Sequence, residues 1–214
     1  MSNNASYIRS YFERVKEVSD KLVAGQSDQI SAAIETLLEA WKNSNQVFIV
    51  GNGGSASTAT HFAADLAKTV INLPNERGIR ALALVDNIPL VSAATNDWGW
   101  DKVYDGFIQT YAQPGDILVA FSVHGGSGQD QAGAWSQNLL RAMQAAKDKG
   151  LKTIGFAGFD GGAMKTLADV CVVVPVEATP HVESFHVVLH HLIAFRLKER
   201  IAEHKQREQH ESLR

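Results

Sequence analysis

Three groups of residues in this 214-residue chain have types and spacings suited to chemistry. The first is Gly51-Asn52-Gly53-Gly54-Ser55, which follows the apolar run 47–50 and opens a helical pattern. Glycines let the backbone approach a ligand closely, and the unpaired N–H groups at a helix start favour an anion such as phosphate. The run matches neither the dinucleotide fingerprint nor the P-loop, so a plain tight turn accounts for it equally well. The second group, His61 and Asp65, is spaced by four residues and shares a helix face about one turn further in. It reads either as a helix-surface pair or as a chemically active pair placed to meet a bound phosphate ester.

The third group lies near the C-terminus, where Glu183, His186, His190 and His191 punctuate an apolar helical pattern. Glu183 and His191 are eight residues apart, a little over two turns, and so fall near one face. Together with His61 and Asp65 they would bring two histidines and two carboxylates from two helices. That donor set suits zinc or a similar divalent ion, and equally proton transfer beside a carbonyl. A buried hydrogen-bonded network fits the same pattern, and for His186 and His190 so does a solvated stripe.

Positioning these groups requires a scaffold, and the chain spells one out as strands alternating with helices. Apolar runs at 47–50, 79–85, 117–121, 151–157 and 170–174 predict five strands. Helices are expected after Ser55 and at 88–94, 104–111, 132–149 and 164–168, with a last one over 180–203 and a frayed polar tail over 204–214. The segment 95–100 reads as a loop. Residues 3–43 carry two helical patterns broken near Gly25-Gln26-Ser27-Asp28, with Ser27 or Asp28 capping the second. Strand-helix alternation argues a parallel sheet covered on both faces, with ligands bound where loops leave the C-terminal strand ends. A second such loop, Ser122-Val123-His124-Gly125-Gly126-Ser127, leaves the third strand and strengthens the case for an anion site.

Composition narrows the partners. A length of 214 residues suits one domain, 1–214, made of leading helices (1–44), an α/β core (45–203) and the tail. The net charge of −3 and the lack of a long basic run give no electrostatic footprint for nucleic acid or an anionic membrane. No apolar run approaches the ~20 residues of a membrane span. Cys171, the single cysteine, sits within an apolar run and fits a reducing cytoplasm.

The ordered motifs Gly51-Asn52-Gly53-Gly54-Ser55, His61-Phe62-Ala63-Ala64-Asp65-Leu66, Asn96-Asp97, Pro114-Gly115-Asp116 and Asp160-Gly161-Gly162, with the last helix, resemble the sugar isomerase (SIS) domain family. Among its branches the chain looks most like those isomerising sedoheptulose 7-phosphate. The resemblance implies a flavodoxin-like three-layer sandwich assembled as a homotetramer, with leading helices used in oligomer packing and active sites between subunits. It implies conversion of sedoheptulose 7-phosphate to D-glycero-D-manno-heptose 7-phosphate for heptose biosynthesis, through an enediol and with zinc. Carried over, Asp65 is the base and His191 the acid; His61, Asp65, Glu183 and His191 hold the metal. Asn52, Gly53, Gly54, Ser55, Asp65, Asn96, Asp97 and Glu183 touch the sugar, and Ser122, Val123, His124 and Ser127 the phosphate.

Three departures from the family pattern stand out. Asp65 occupies a position where Glu is usual, and Glu183 one where Gln is usual. The loop at 122–127 replaces a Ser-Thr-Ser-Gly-Asn-Ser pattern, exchanging hydroxyls for Val123 and an imidazole at His124, which points to an altered acidic sugar. A different reading within the family is a non-catalytic protein associating with a replication initiator, but that kind lacks the acid and histidine found here at 65 and 191.

Overall fold

The computed structural model describes residues 3–126 and 136–212. Five parallel strands, β1 (Gln46–Gly51), β2 (Arg80–Ala83), β3 (Ile117–Phe121), β4 (Lys152–Gly158) and β5 (Val170–Val174), form one sheet in the order β2-β1-β3-β4-β5. This is the flavodoxin-like order expected, and its switch point lies between β1 and β3. The strands read as unbroken apolar runs because both faces are covered. Val47, Ile49, Val119 and Phe121 pack into one core, while Phe48, Val50, Leu118 and Ala120 pack into the other.

Helices α1 (Asn3–Asn43), α2 (Gly54–Ala64) and α7 (Thr179–Ser212) cover the first face. Helices α3 (Ile88–Trp98), α4 (Asp105–Tyr111), α5 (Gln137–Asp148) and α6 (Met164–Leu167) cover the second. Register brings Val47 opposite Ile117 and Gly51 opposite Phe121, so β1 and β3 end level and their glycine loops emerge side by side. Asp116 of the Pro-Gly-Asp motif serves the scaffold. Its carboxylate accepts from the Gln46 and Gln113 amides at 2.7 and 2.8 Å, fastening the starts of β1 and β3.

Several boundaries differ from expectation. The leading segment is one helix of 41 residues. Gly25 costs a helix roughly 1 kcal/mol relative to alanine, but nothing interrupts the backbone ladder there, and Ser27 turns its hydroxyl back to the Val23 carbonyl at 2.7 Å instead of capping a new helix. Gln26 is occupied elsewhere, its Oε1 accepting from the Val173 amide of β5 at 2.9 Å. Residues 95–98 continue α3 because Asn87 caps it firmly, accepting from the Leu90 amide at 3.1 Å, and no breaker intervenes before Gly99. The C-terminal tail is helical through Ser212. His204 packs edge-on against Trp41, Lys205 bonds Glu76 at 2.9 Å, and Arg200 pairs with Glu35, so contacts with α1 and with the loop before β2 hold the tail. The expected start of α5 at residue 132 lies outside the described residues.

Buried residues of α7 recur at Val182, Phe185, His186, Leu189, His190, Ile193, Leu197 and Ile201, a core-facing stripe that carries two histidines inside. His186 is fully buried between Phe121 and Phe156, with Nε2 3.3 Å from the Ala157 carbonyl. Burial pulls it from 6.5 down to about 4, outweighing the bond to Ala157. The unfolded chain therefore binds the extra proton between those values, so this contribution to stability is complete above pH 6.5 and is lost as pH falls to 4. We predict a His186-dependent loss on the order of 3 kcal/mol across that window. Urea unfolding at pH 7 and pH 4.5 should show a smaller pH difference for His186→Leu than for wild type; equal differences would refute it.

Candidate active site

Two of the expected groups are brought together by a pair of parallel helices, α2 after β1 and α7 after β5, whose strands are separated in the sheet by β3 and β4. Gly53 opens α2 with φ of 55°, a conformation that glycine adopts without steric cost. At Gly54 the absent side chain matters more: a Cβ there would lie 2.4 Å from Glu183 Oε1, so α7 presses its first turns against the first turn of α2. Seven residues further along each helix stand His61 and His190, whose rings meet edge to face with centroids 4.6 Å apart. Asp65 and His191 complete the cluster.

Asp65 Oδ2 is its centre. His190 Nδ1 lies 3.4 Å from it, His191 Nε2 3.6 Å and His61 Nε2 3.7 Å, while His61 and His191 approach each other at 3.4 Å. Oδ2 is buried and has no hydrogen-bond partner among the described residues. Oδ1 accepts from Thr69 Oγ1 at 2.9 Å, across a π-helical turn over Asp65–Thr69 in which the Val70 amide reaches back to the Asp65 carbonyl. Such π turns widen a helix locally and often mark functional positions. The His61 and His191 side chains are 49% and 43% exposed, so the cluster opens to the outside. His190 is fully buried, and burial, then the His191 and His61 imidazoles, holds it down to about 4 against the pull of Asp65. It is thus a neutral imidazole at pH 7. Donor types and spacing fit a divalent ion, since the four side chains offer donor atoms all within 4.8 Å of one another.

A separate small cavity of about 110 Å³ lies at the switch point, lined by Asn52 and Ser55 from the first loop, Ser122, Val123 and His124 from the loop after β3, and Glu183. Its walls are fixed by polar contacts. Asn52 and the fully buried Asn138 exchange two amide hydrogen bonds of 3.0 and 2.8 Å. Ser122 Oγ accepts from the Gly126 amide at 3.2 Å, and His124 packs on Phe159 with ring centroids 4.3 Å apart.

Glu183 therefore belongs with this cavity and Gly54, whereas the cluster of four takes His190. Gly53 and Gly54 are exposed at the start of α2. Asn96 and Asp97 are exposed near the end of α3, bonded to each other at 2.8 Å, and line neither feature. Ser127 lies outside the described residues. His190, Thr69 and Asn138 were not singled out as site residues from sequence. The spacing of seven from Glu183 to His190, equal to that from Gly54 to His61, is the signal that marks His190 once the helices are known to run parallel.

Residues 10–158 match the SIS domain. This chain belongs to the SIS domain family. It is 35% identical to a phosphoheptose isomerase of Aliarcobacter butzleri over 83% of the chain and 88% of that protein. For a phosphoheptose isomerase of Helicobacter pylori the identity is 33% over 87% and 91%. It is also 44% identical to the lincomycin biosynthesis protein LmbN of Streptomyces lincolnensis, over 78% of this chain but only 60% of that protein's length. The solved phosphoheptose isomerase of Neisseria gonorrhoeae superposes with a TM-score of 0.81 over 92% of this chain and all of that one, at 24% identity, which speaks to the shared fold.

The Asn52–Asn138 pair makes this SIS domain testable at its cavity wall. Replacing Asn138 by Leu strands the Asn52 amide, and losing a buried partner costs about 1–3 kcal/mol. Urea denaturation should show a destabilisation of that size for Asn138→Leu; an unchanged midpoint would refute the pairing.

Proposed function

We propose that this chain is a phosphosugar ketose-aldose isomerase whose substrate is sedoheptulose 7-phosphate, converted to D-glycero-D-manno-heptose 7-phosphate. The observation that carries the reading is Asp65, a carboxylate with one oxygen ringed by imidazoles, in a chain that shares about a third of its residues with phosphoheptose isomerases over most of its length. The phosphate goes to the switch-point cavity, where the loops after β1 and β3 meet. A rise of 1.5 Å per residue sets Ser55 and His61 about 9 Å apart along α2, a separation suited to an extended sugar chain rather than a short one.

Asp65 takes the proton from the carbon beside the carbonyl. Its oxygens divide the work: Oδ2 is buried among the imidazoles, so Oδ1, touched by Thr69, is the one left to meet substrate. His191, half-exposed 3.6 Å from Asp65, delivers a proton to the carbonyl oxygen, giving an enediol; reversal of the two transfers on the neighbouring carbon yields the aldose. A zinc or similar ion held by the cluster would polarise the carbonyl as a Lewis acid.

Copies of the chain assemble as a homotetramer in the cytoplasm. Exposed Tyr7, Ile8 and Phe12 on α1 and Val188, Leu192 and Phe195 on α7 supply apolar surface for that assembly. A substrate of different chain length is the second reading, favoured by Val123 and His124 at the phosphate loop and by the 44% identity to a lincomycin biosynthesis protein.

An NMR time course with sedoheptulose 7-phosphate in deuterated water tests the reading. Aldose should appear carrying deuterium beside the carbonyl, and Asp65→Ala and His191→Ala should each slow it by about 100-fold or more. Wild-type rates in either variant would remove the assigned role. Turnover confined to a longer or shorter ketose phosphate would select the second reading.

A further inference from the structure

We propose that His190 is a ligand of this chain's metal site, so that the ion is held by three imidazoles and one carboxylate, with Glu183 outside the coordination shell. The inference rests on the metal-assisted reading above and commits it to particular atoms.

Four observations lead to it. His190 is fully buried, yet neither ring nitrogen has a hydrogen-bond partner among the described residues. An imidazole enclosed this way loses its water without replacement unless something else binds it. Asp65 Oδ2, the atom it faces at 3.4 Å, is buried and unpartnered as well. Two adjacent polar groups both left unsatisfied in a well-packed helix pair point to a ligand between them.

Spacing agrees with a small ion. Zinc bonds nitrogen and oxygen at about 2.0–2.1 Å, and a tetrahedron of that size has edges of about 3.3–3.4 Å. The separations here are 3.4 Å for His61 with His191, and 3.4, 3.6 and 3.7 Å from Asp65 Oδ2 to His190, His191 and His61. The remaining two stay within 4.8 Å. The contact between His61 and His191 at 3.4 Å leaves both nitrogens of His190 and Oδ2 of Asp65 without a hydrogen-bond partner among the described residues.

Glu183 is placed differently. Its carboxylate rests where a Cβ on Gly54 would be, and Gly54 precedes His61 by seven residues, about 10 Å along α2. There it faces the cavity at the glycine loops. The shorter Asp65 side chain fits this arrangement, since the imidazole of His190 fills the interior side of the cluster. Four protein donors would suffice to hold such an ion, which would tie α2 to α7.

The test is direct zinc binding to the purified full-length protein, by competition with a chelating dye, together with the zinc-induced rise in Tm. Wild type and Glu183→Gln should bind within a few-fold of each other and both gain Tm. His190→Leu should lose at least about 100-fold in affinity and most of the Tm gain. Retained affinity in His190→Leu, or loss in Glu183→Gln, would overturn the assignment. Because a Leu variant that fails to fold would be uninformative, zinc-edge X-ray absorption of the wild type supplies a second reading. Three imidazoles with one oxygen donor support the proposal, and two imidazoles with two oxygens refute it. A wild type that binds no zinc yet isomerises the sugar refutes the metal site alone, whereas zinc bound as described without turnover refutes the isomerase reading and leaves the ligand set standing.

Discussion

The parallel alignment of α2 with α7 is the constraint on which the rest of the site depends. Helices leaving β1 and β5 must cross several strand widths to touch, and they do so because residue 54 has no side chain to keep Glu183 away. Once that contact sets the register, equal steps along both helices bring His61 and Asp65 onto His190 and His191 without further instruction. The consequence is a graded arrangement along one helix pair: glycine backbone at its first turn, imidazole and carboxylate side chains two turns on. A bulky residue at 54 would shift the register, and every distance around Asp65 with it.

The sheet supplies what the helices cannot, a rigid base. Because alternate side chains of β1 and β3 enter separate cores, neither loop at their ends can move without disturbing packing on both faces. Asp116 locks the starts of the two strands, and the Asn52–Asn138 pair ties the loop after β1 to α5. Fixed donors around a binding site lose little entropy when a ligand arrives, which is the physical use of such stiffness.

Much of this was legible in the sequence, and the parts that were not share a cause. Unbroken apolar runs announced five buried parallel strands, and the glycine loops announced where the cavity at the switch point opens. His61 with Asp65 was readable as a pair because helical spacing is local. Membership of His190 and the displacement of Glu183 were not, since each depends on how two helices far apart in sequence are phased against one another. The single α1 and the helical tail were missed for a related reason: Gly25 and a polar composition argue locally for breaks, while Gln26 on β5 and the contacts of His204, Lys205 and Arg200 override them.

The bond from Gln26 to Val173 has a meaning beyond holding α1 in place. β5 is an outer strand of the sheet, and an outer strand offers a row of unpaired amides to any extended chain that drifts past. A glutamine side chain standing in for the missing neighbour occupies one of those amides and lays a helix along the margin. The sheet is thereby guarded on that side against growth by strand addition, the route by which exposed sheet margins build open-ended fibres.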